Sequence, residues 1–222
     1  MDAGEAKAVD TLLPRLRDGL ARLSLELPPK AEAQLLAYIR LVAHWNKAYN
    51  LTAVRKPDVM LGAHIFDSLS ILTPLRQHAW DAQYLLDAGC GAGLPGVPLA
   101  IASPALLVNL VDSRAKKIAF ARQVKTELGL TNTQAVAARL EAWHPPAPFE
   151  VIASRALASL TDMVQATRHL LAPGGCWFAM KGRYPRDELN SLPEDVAVRT
   201  CLELSVPEVV GVRHLLILEK RH

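Results

Sequence analysis

The chain has 222 residues, half of them hydrophobic, and its 25 Lys and Arg against 22 Asp and Glu give a formal charge of +3. That length and apolar content suit one large domain, or a domain with an extension, and a charge so close to balance permits an acidic partner such as RNA without requiring one. The three cysteines, Cys90, Cys176 and Cys201, form no CxxC pair and no metal-ligand spacing, which argues for reduced thiols in a cytoplasmic protein; no run approaches the ~18 apolar residues of a membrane span, and the start of the chain lacks the apolar core of a signal peptide.

Residues 1–75 are expected to form a helical extension. Leu12, Leu13, Leu16, Leu20 and Leu23 recur at helical spacing, with Arg15, Arg17 and Arg22 between them. Pro28-Pro29 breaks the chain, and Ala31 to Asn46 reads as a second helix with Leu35, Leu36, Ile39, Val42 and Ala43 on one face. Asn50 and Thr52 then have turn and cap chemistry. Asp58 is placed to cap a further helix through His64 and Asp67. These two stand three apart on one face; a local hydrogen bond that tightens the helix against the domain is the preferred reading, a functional pair the alternative. Thr73-Pro74 and the polar run to Gln83 read as a connection.

Residues 76–222 alternate between strand and helix patterns. Strands are predicted at 83–87, 106–112, 132–137, 149–154, 176–180, 196–204 and 212–219, and helices at 95–103, 114–128, 159–171 and 186–191. Gly129 caps the second of these helices and Pro173-Gly174-Gly175 stops the third. This order predicts a parallel sheet covered on both faces. The last two strands are joined through Pro207 and Gly211 without a helix, so one of them must run antiparallel. A mainly parallel sheet with one reversed strand is the architecture of Rossmann-like S-adenosylmethionine-dependent methyltransferases, and dehydrogenases generally lack it.

The stretch Tyr84-Leu-Leu-Asp-Ala-Gly-Cys-Gly-Ala-Gly-Leu-Pro-Gly96 organises the rest. It reads as a buried strand, a glycine turn and a helix start near Pro95, whose free N–H groups would point at a ligand. Gly91-Ala-Gly-Leu-Pro-Gly96 fits the dinucleotide fingerprint, with Asp112 ~20 residues further on. Asp87 shifts the choice of ligand: a carboxylate at the mouth of the loop repels a pyrophosphate and suits the ammonium and sulfonium of S-adenosylmethionine. Asp112, ending the second strand, is placed to accept from both ribose hydroxyls. Ligands of such sheets sit beyond the carboxyl ends of the strands, which brings Asp87, Asp112, Leu140-Glu141, Arg155 and Lys181 around one crevice. Leu94 is an apolar flank, and Arg139-Leu140-Glu141 follows the third strand where an adenine would lie. Arg155 either contacts ligand or pairs with Asp87 or Glu141. Lys181 either meets phosphate, with Arg183 and Arg186 extending a basic edge, or is a solvated loop cation.

The chain resembles the RsmG (GidB) family, which methylates a guanine N7 in bacterial small-subunit ribosomal RNA. The resemblance runs over nearly the whole chain: Trp45-Asn, Asn50-Leu-Thr-Ala53, His64 with Asp67-Ser68, Asp87-Ala-Gly-Cys-Gly-Ala-Gly-Leu-Pro-Gly-Val-Pro98, Val111-Asp-Ser113, Arg139 with Glu141, Ser154-Arg-Ala156 with Ala158-Ser-Leu160, and Lys181-Gly182. It implies that Gly89, Leu94, Leu140, Glu141 and Arg155 contact the cofactor, beside Asp87, Gly91 and Asp112 from the loop reading. It also implies an enzyme that needs no general base, with ribosomal RNA or the small subunit as partner and Arg155 and Lys181 as candidate RNA or transition-state contacts. A cytoplasmic monomer is expected. One departure stands out: the family often carries arginine directly before the histidine, and this chain has Ala63. The competing readings are an NAD-dependent oxidoreductase and a non-catalytic RNA-binding protein that keeps the pocket as a structural device.

Overall fold

The computed structural model describes residues 9–155 and 159–221. Two helices open it, α1 (Leu13–Arg22) and α2 (Ala31–Tyr49). Their buried faces carry Leu16 and Leu20, and Leu35, Leu36, Ile39 and Val42, as the helical spacing requires. Helix α2 runs to Tyr49, past the predicted end, and stops where Asn50 takes a left-handed conformation, φ 47°. The third helical stretch is composite: α3 (Pro57–Met60), a π-helical segment (Leu61–Phe66) and α4 (Asp67–Leu69). Asp58 makes no side-chain cap there; Lys56 occupies the cap position. Gly19 lets the Phe66 ring lie directly on α1, since a Cβ at that position would sit 2.0 Å from the ring. Helix α5 (Leu72–His78) forms where the sequence predicts a connection. Pro74 falls in its first turn, where the missing N–H has no intrahelical partner to lose, and Leu72 and Leu75 bury its inner face.

The remainder builds one seven-stranded sheet. In chain order it runs β1 (Tyr84–Ala88), α6 (Gly96–Ala102), β2 (Leu107–Asp112), α7 (Ala115–Leu128), β3 (Thr133–Ala137), β4 (Phe149–Arg155), α8 (Leu160–Thr167), β5 (Leu171–Lys181), α9 (Arg186–Asn190), β6 (Val196–Leu204) and β7 (Arg213–Lys220). The spatial order is β3-β2-β1-β4-β5-β7-β6. Strands β1 to β5 pair in parallel, while β7 lies antiparallel to both β5 and β6. The reversed strand is therefore the last one, inserted between β5 and β6. The largest boundary difference in the sheet lies before β5. The helix expected to reach residue 171 ends at Thr167, and Leu171 already pairs with Phe149 before the register jumps to Val151 opposite Cys176. Leu170 and Leu171 are buried; their burial under the sheet overrides the helical pattern, and Pro173-Gly174-Gly175 becomes a bulge inside the strand.

The sheet is apolar on both faces. One face packs on the helical extension, the π segment, α6 and α7, in a continuous cluster that includes Leu35, Phe66, Leu99 and Phe120. The other face holds Leu86, Ile152, Leu160, Val164 and Trp177, and Trp177 Nε1 donates to Thr167 Oγ1 at 2.9 Å. Strand order reverses between β1 and β4, so a crevice opens at their carboxyl ends, where α/β sheets take ligands.

Candidate active site

The glycine loop leaves β1 at that switch point. Most of its backbone donors bond within the protein. Gly89 and Cys90 donate to the Val111 carbonyl, Gly93 and Leu94 to that of Cys90, and Val97 to that of Gly93. Gly91 N–H donates to Asp112 Oδ2 at 3.1 Å, and Gly96 N–H to Asp87 Oδ2 at 2.8 Å. The prediction that the helix start aims free N–H groups at a ligand is thus overturned: α6 is short and its first donors are already bonded. A loop built this way offers no cradle for a pyrophosphate, which is bound through such donors. It arrays carboxylates around the bend instead, which favours a cationic ligand over a dinucleotide.

Asp87 is fully buried, not at the loop mouth. It lies beneath the turn, with Gly96 pressed against it: a Cβ at Gly96 would fall 2.7 Å from Asp87 Oδ2 and 2.4 Å from Leu110. Its second oxygen, Oδ1, meets no partner among the described residues. Burial raises its pKa to about 7, against the lowering effects of the Gly96 N–H and the Arg155 charge, while Asp112 raises it further. Cys90 beside it is buried, and burial lifts its thiol pKa well above the usual value, as befits a packing residue and not a nucleophile. The loop is held from below by Tyr38 of α2, whose hydroxyl donates to the Ala92 carbonyl at 2.8 Å.

Two cavities flank the switch point. The first, about 290 Å³, is lined by Gly89, Asp112, Ser113, Arg114 and residues 138–141. The structure thus brings Gly89, Asp112, Leu140 and Glu141 together. Asp112 is braced by two backbone donors, Gly91 to Oδ2 and Arg114 to Oδ1 at 2.8 Å, which holds the carboxylate facing the loop. Leu94 is not on this wall; it is 4% exposed and belongs to the main core. Its apolar side chain is drawn inward with Val97 and Leu99.

The second cavity, about 500 Å³, lies at the ends of β4 and β5. Arg155 and Lys181 line it, with Thr52, Val54, Ala63, His64 and Asp67 from the extension and Arg213 and His214 from β7. Arg155 pairs with neither Asp87 nor Glu141. Its Nη1 donates to Asp67 Oδ2 at 2.9 Å and to the Ala63 carbonyl at 2.7 Å. Arg213 Nε stands 3.4 Å from the other Asp67 oxygen. Asp67 therefore joins two arginines and makes no bond to His64, contrary to the expected local pair. The π-helical turn changes the spacing, so that i and i+3 no longer meet as in an α-helix. Ala63, at the position of the noted departure, contributes only its backbone carbonyl to this contact. Lys181 Nζ bonds Glu188 Oε2 at 2.7 Å, and the same oxygen accepts from the Leu160 N–H that opens α8. Lys181 is thus a paired residue and not a solvated cation. Ala156 and Ala158 of the block after β4 lie outside the described residues.

Sequence reasoning does not mark Thr52, Val54, Arg213 or His214 as site residues. Thr52 and Val54 are positioned by Asn46, which accepts from the Thr52 N–H and donates to the Val54 carbonyl. Arg213 and His214 open the reversed strand, and the register sets His214 opposite Lys181. A signal for them exists: a reversed strand must begin at the edge where its parallel neighbours end.

Residues 31–216 match the family model described as "rRNA small subunit methyltransferase G". The chain is 47% identical over 210 residues to the ribosomal RNA small subunit methyltransferase G of Laribacter hongkongensis, covering 95% of this chain and 99% of that one. It is 48% identical over 209 residues to the protein of the same name from Alkalilimnicola ehrlichii, covering 94% and 93%. Among solved structures it is similar to the O-methyltransferase TomG of Streptomyces achromogenes, in complex with SAM. The TM-score there is 0.60 at 16% identity, over 93% of this chain and 96% of that one; at that identity the likeness speaks for the fold.

Proposed function

Since the chain belongs to the rRNA small subunit methyltransferase G family, we infer that the base it methylates is a guanine and that N7 is the accepting atom. The enzyme is an S-adenosylmethionine-dependent methyltransferase acting on small-subunit ribosomal RNA. The observation that carries the donor reading is the wiring of the loop: most of its N–H groups bond within the protein, and two of them, those of Gly91 and Gly96, go to the carboxylates of Asp112 and Asp87.

When bound, the donor supplies an electrophilic methyl group on a cationic sulfur. The protein's part is to hold and align it. We assign Gly89, Leu140 and Glu141 to the adenosyl end in the smaller cavity, and Asp112 to the ribose hydroxyls. Gly91 shapes that carboxylate's position, and Leu94 supports the loop from the core. Asp87 acts from beneath as a buried carboxyl whose ionised form favours a positive ligand. Guanine N7 carries a lone pair at neutral pH and needs no deprotonation, so alignment and electrostatics suffice and no general base is assigned. Arg155 lines the second cavity, and its charge favours the ionised form of Asp87. The edge from Lys181 through Arg183 and Arg186 is the candidate RNA contact, with Arg183 and Arg186 exposed. We assign residues 1–75 to a helical extension and 76–222 to the methyl-transferring domain, and read the protein as a cytoplasmic monomer. Among the described residues no helix is long and apolar enough to cross a membrane.

The test is transfer of a labelled methyl group to small subunits, and to naked ribosomal RNA, from cells lacking this protein. Label at a guanine N7 is the expected result. Label at another atom overturns the N7 assignment, and no label on any substrate favours a binding protein with a retained pocket.

A further inference from the structure

The second cavity has a feature that neither the methyl donor nor the fold accounts for. His64 is 3% exposed and lines it, yet neither ring nitrogen meets a partner among the described residues. His214, on the same wall, also has its Nδ1 without a partner. Burial, aided by the Arg155 charge, lowers the His64 pKa to about 4, so the imidazole is neutral at physiological pH. It stands on the π-helical turn Leu61–Phe66, a geometry frequent at functional sites. Two unpaired buried nitrogens on an irregular turn destabilise the free protein, and such groups call for a partner from outside.

The cations around the cavity are committed: Arg155 and Arg213 to Asp67, and Lys181 to Glu188. The remaining walls include Val54, Met180 and Leu204. The cavity thus offers a guest apolar surface and neutral hydrogen bonding, which fits an uncharged planar base better than a phosphate. Its volume is within the ~300–1,000 Å³ common for small-ligand sites. Through Lys181, Gly182 and Arg213 it continues into a groove of about 620 Å³ that carries Arg183, Tyr184 and Arg186. Tyr184 is 51% exposed and packs edge-on against His214. That is the order expected of a base turned out of its strand: base in the cavity, phosphates at the outer arginines.

We propose that this cavity receives the target guanine and that His64 recognises it, donating a ring N–H to the carbonyl oxygen O6 and leaving N7 beside it open to the methyl group. Adenine presents an amino donor at that position and is disfavoured. The assignment rests on the guanine-methyltransferase reading above. His64 is a specificity residue here, not a base.

The experiment compares wild type with His64→Leu and His64→Gln in three measurements: methyl transfer to small subunits from cells lacking this protein, S-adenosylhomocysteine affinity by calorimetry, and Tm. The Leu variant is expected to lose about 10- to 100-fold in kcat/KM. Its Tm should equal or exceed that of wild type, because an unpaired polar ring has been replaced by an apolar group, and its S-adenosylhomocysteine affinity should be unchanged. The Gln variant keeps an N–H donor and should recover part of the activity. A Leu variant as active as an active wild type overturns the proposal, as does one that loses Tm and S-adenosylhomocysteine affinity together, which makes His64 structural. A wild type that transfers no label to any subunit brings down the functional reading itself, and this proposal with it.

Discussion

Asp87 shows how one residue couples the site to the stability of the fold. Its pKa is raised by burial from 3.8 to about 7. A carboxyl raised in this way is best tolerated while protonated: its contribution is fully present below about pH 4 and is lost as pH rises through 7. Asp87→Asn keeps an oxygen to accept from Gly96 but cannot ionise. Relative to wild type it should gain stability between pH 4 and 8, on the order of 2–4 kcal/mol at the upper end, since each tenfold difference in proton affinity between folded and unfolded chain is worth ~1.4 kcal/mol. Urea unfolding of both proteins at pH 5 and pH 8 measures it, and a difference independent of pH contradicts the assignment. A cationic donor favours the ionised form, so the wild-type affinity for S-adenosylmethionine should rise through neutral pH while that of the Asn variant stays flat. The residue pattern pointed to a carboxylate serving this loop; it did not reveal that the carboxylate is buried, because depth beneath a turn depends on what packs over it, here Gly96 and Leu110.

At the scale of elements, the helical extension and the glycine loop are joined where chain order keeps them apart. The Tyr38 hydroxyl, wholly buried on α2, supports the loop through the Ala92 carbonyl. Tyr38→Phe removes that bond with no loss of apolar volume and leaves a buried carbonyl with one fewer partner. It should cost about 1–2 kcal/mol of stability and weaken donor binding, because the loop loses its support. Thermal unfolding and calorimetric titration with S-adenosylhomocysteine check the two effects; unchanged values in both refute a buttressing role. The helix itself was legible from the spacing of Leu35, Leu36, Ile39 and Val42. Its contact with the loop was not, since an interaction between residues 38 and 92 leaves no local trace in either segment. The π turn at Leu61–Phe66 was hidden for a related reason: the hydrophobic period reads as a helix of some kind, and the extra residue in the turn leaves no mark in that period.

For the whole molecule, a net charge of only +3 implies that RNA affinity comes from a local edge and not from a general positive field. If Arg183 and Arg186 meet backbone phosphate, replacing either with Ala should weaken binding to small-subunit RNA across sequences and reduce the slope of log K against log salt by about one. Filter binding over a salt series reads this directly, and an unchanged slope moves the RNA edge elsewhere. The +3 total also hides how many charges are already paired: Arg15 lies against Glu208, Arg17 against Glu32, Arg40 against Asp10 and Lys181 against Glu188. The more exposed of these pairs add little stability, but together they decide which cations remain for an RNA strand.

From its residues alone this protein could be read as a parallel, once-reversed sheet behind a helical extension, with a glycine bend between two aspartates and a methyl donor as ligand. Those features are local: hydrophobic period, turn residues and spacing act within a few positions of one another. The tertiary structure decided where each carboxylate and cation went. It buried Asp87, turned Arg155 and Arg213 onto Asp67, tied Lys181 to Glu188, and left His64 in the wall of a cavity with its nitrogens unpaired among the described residues. These partnerships join residues as far apart as 67 and 213. Their free energy depends on burial and on which competitor stands nearest, and both quantities exist only after the chain has closed on itself.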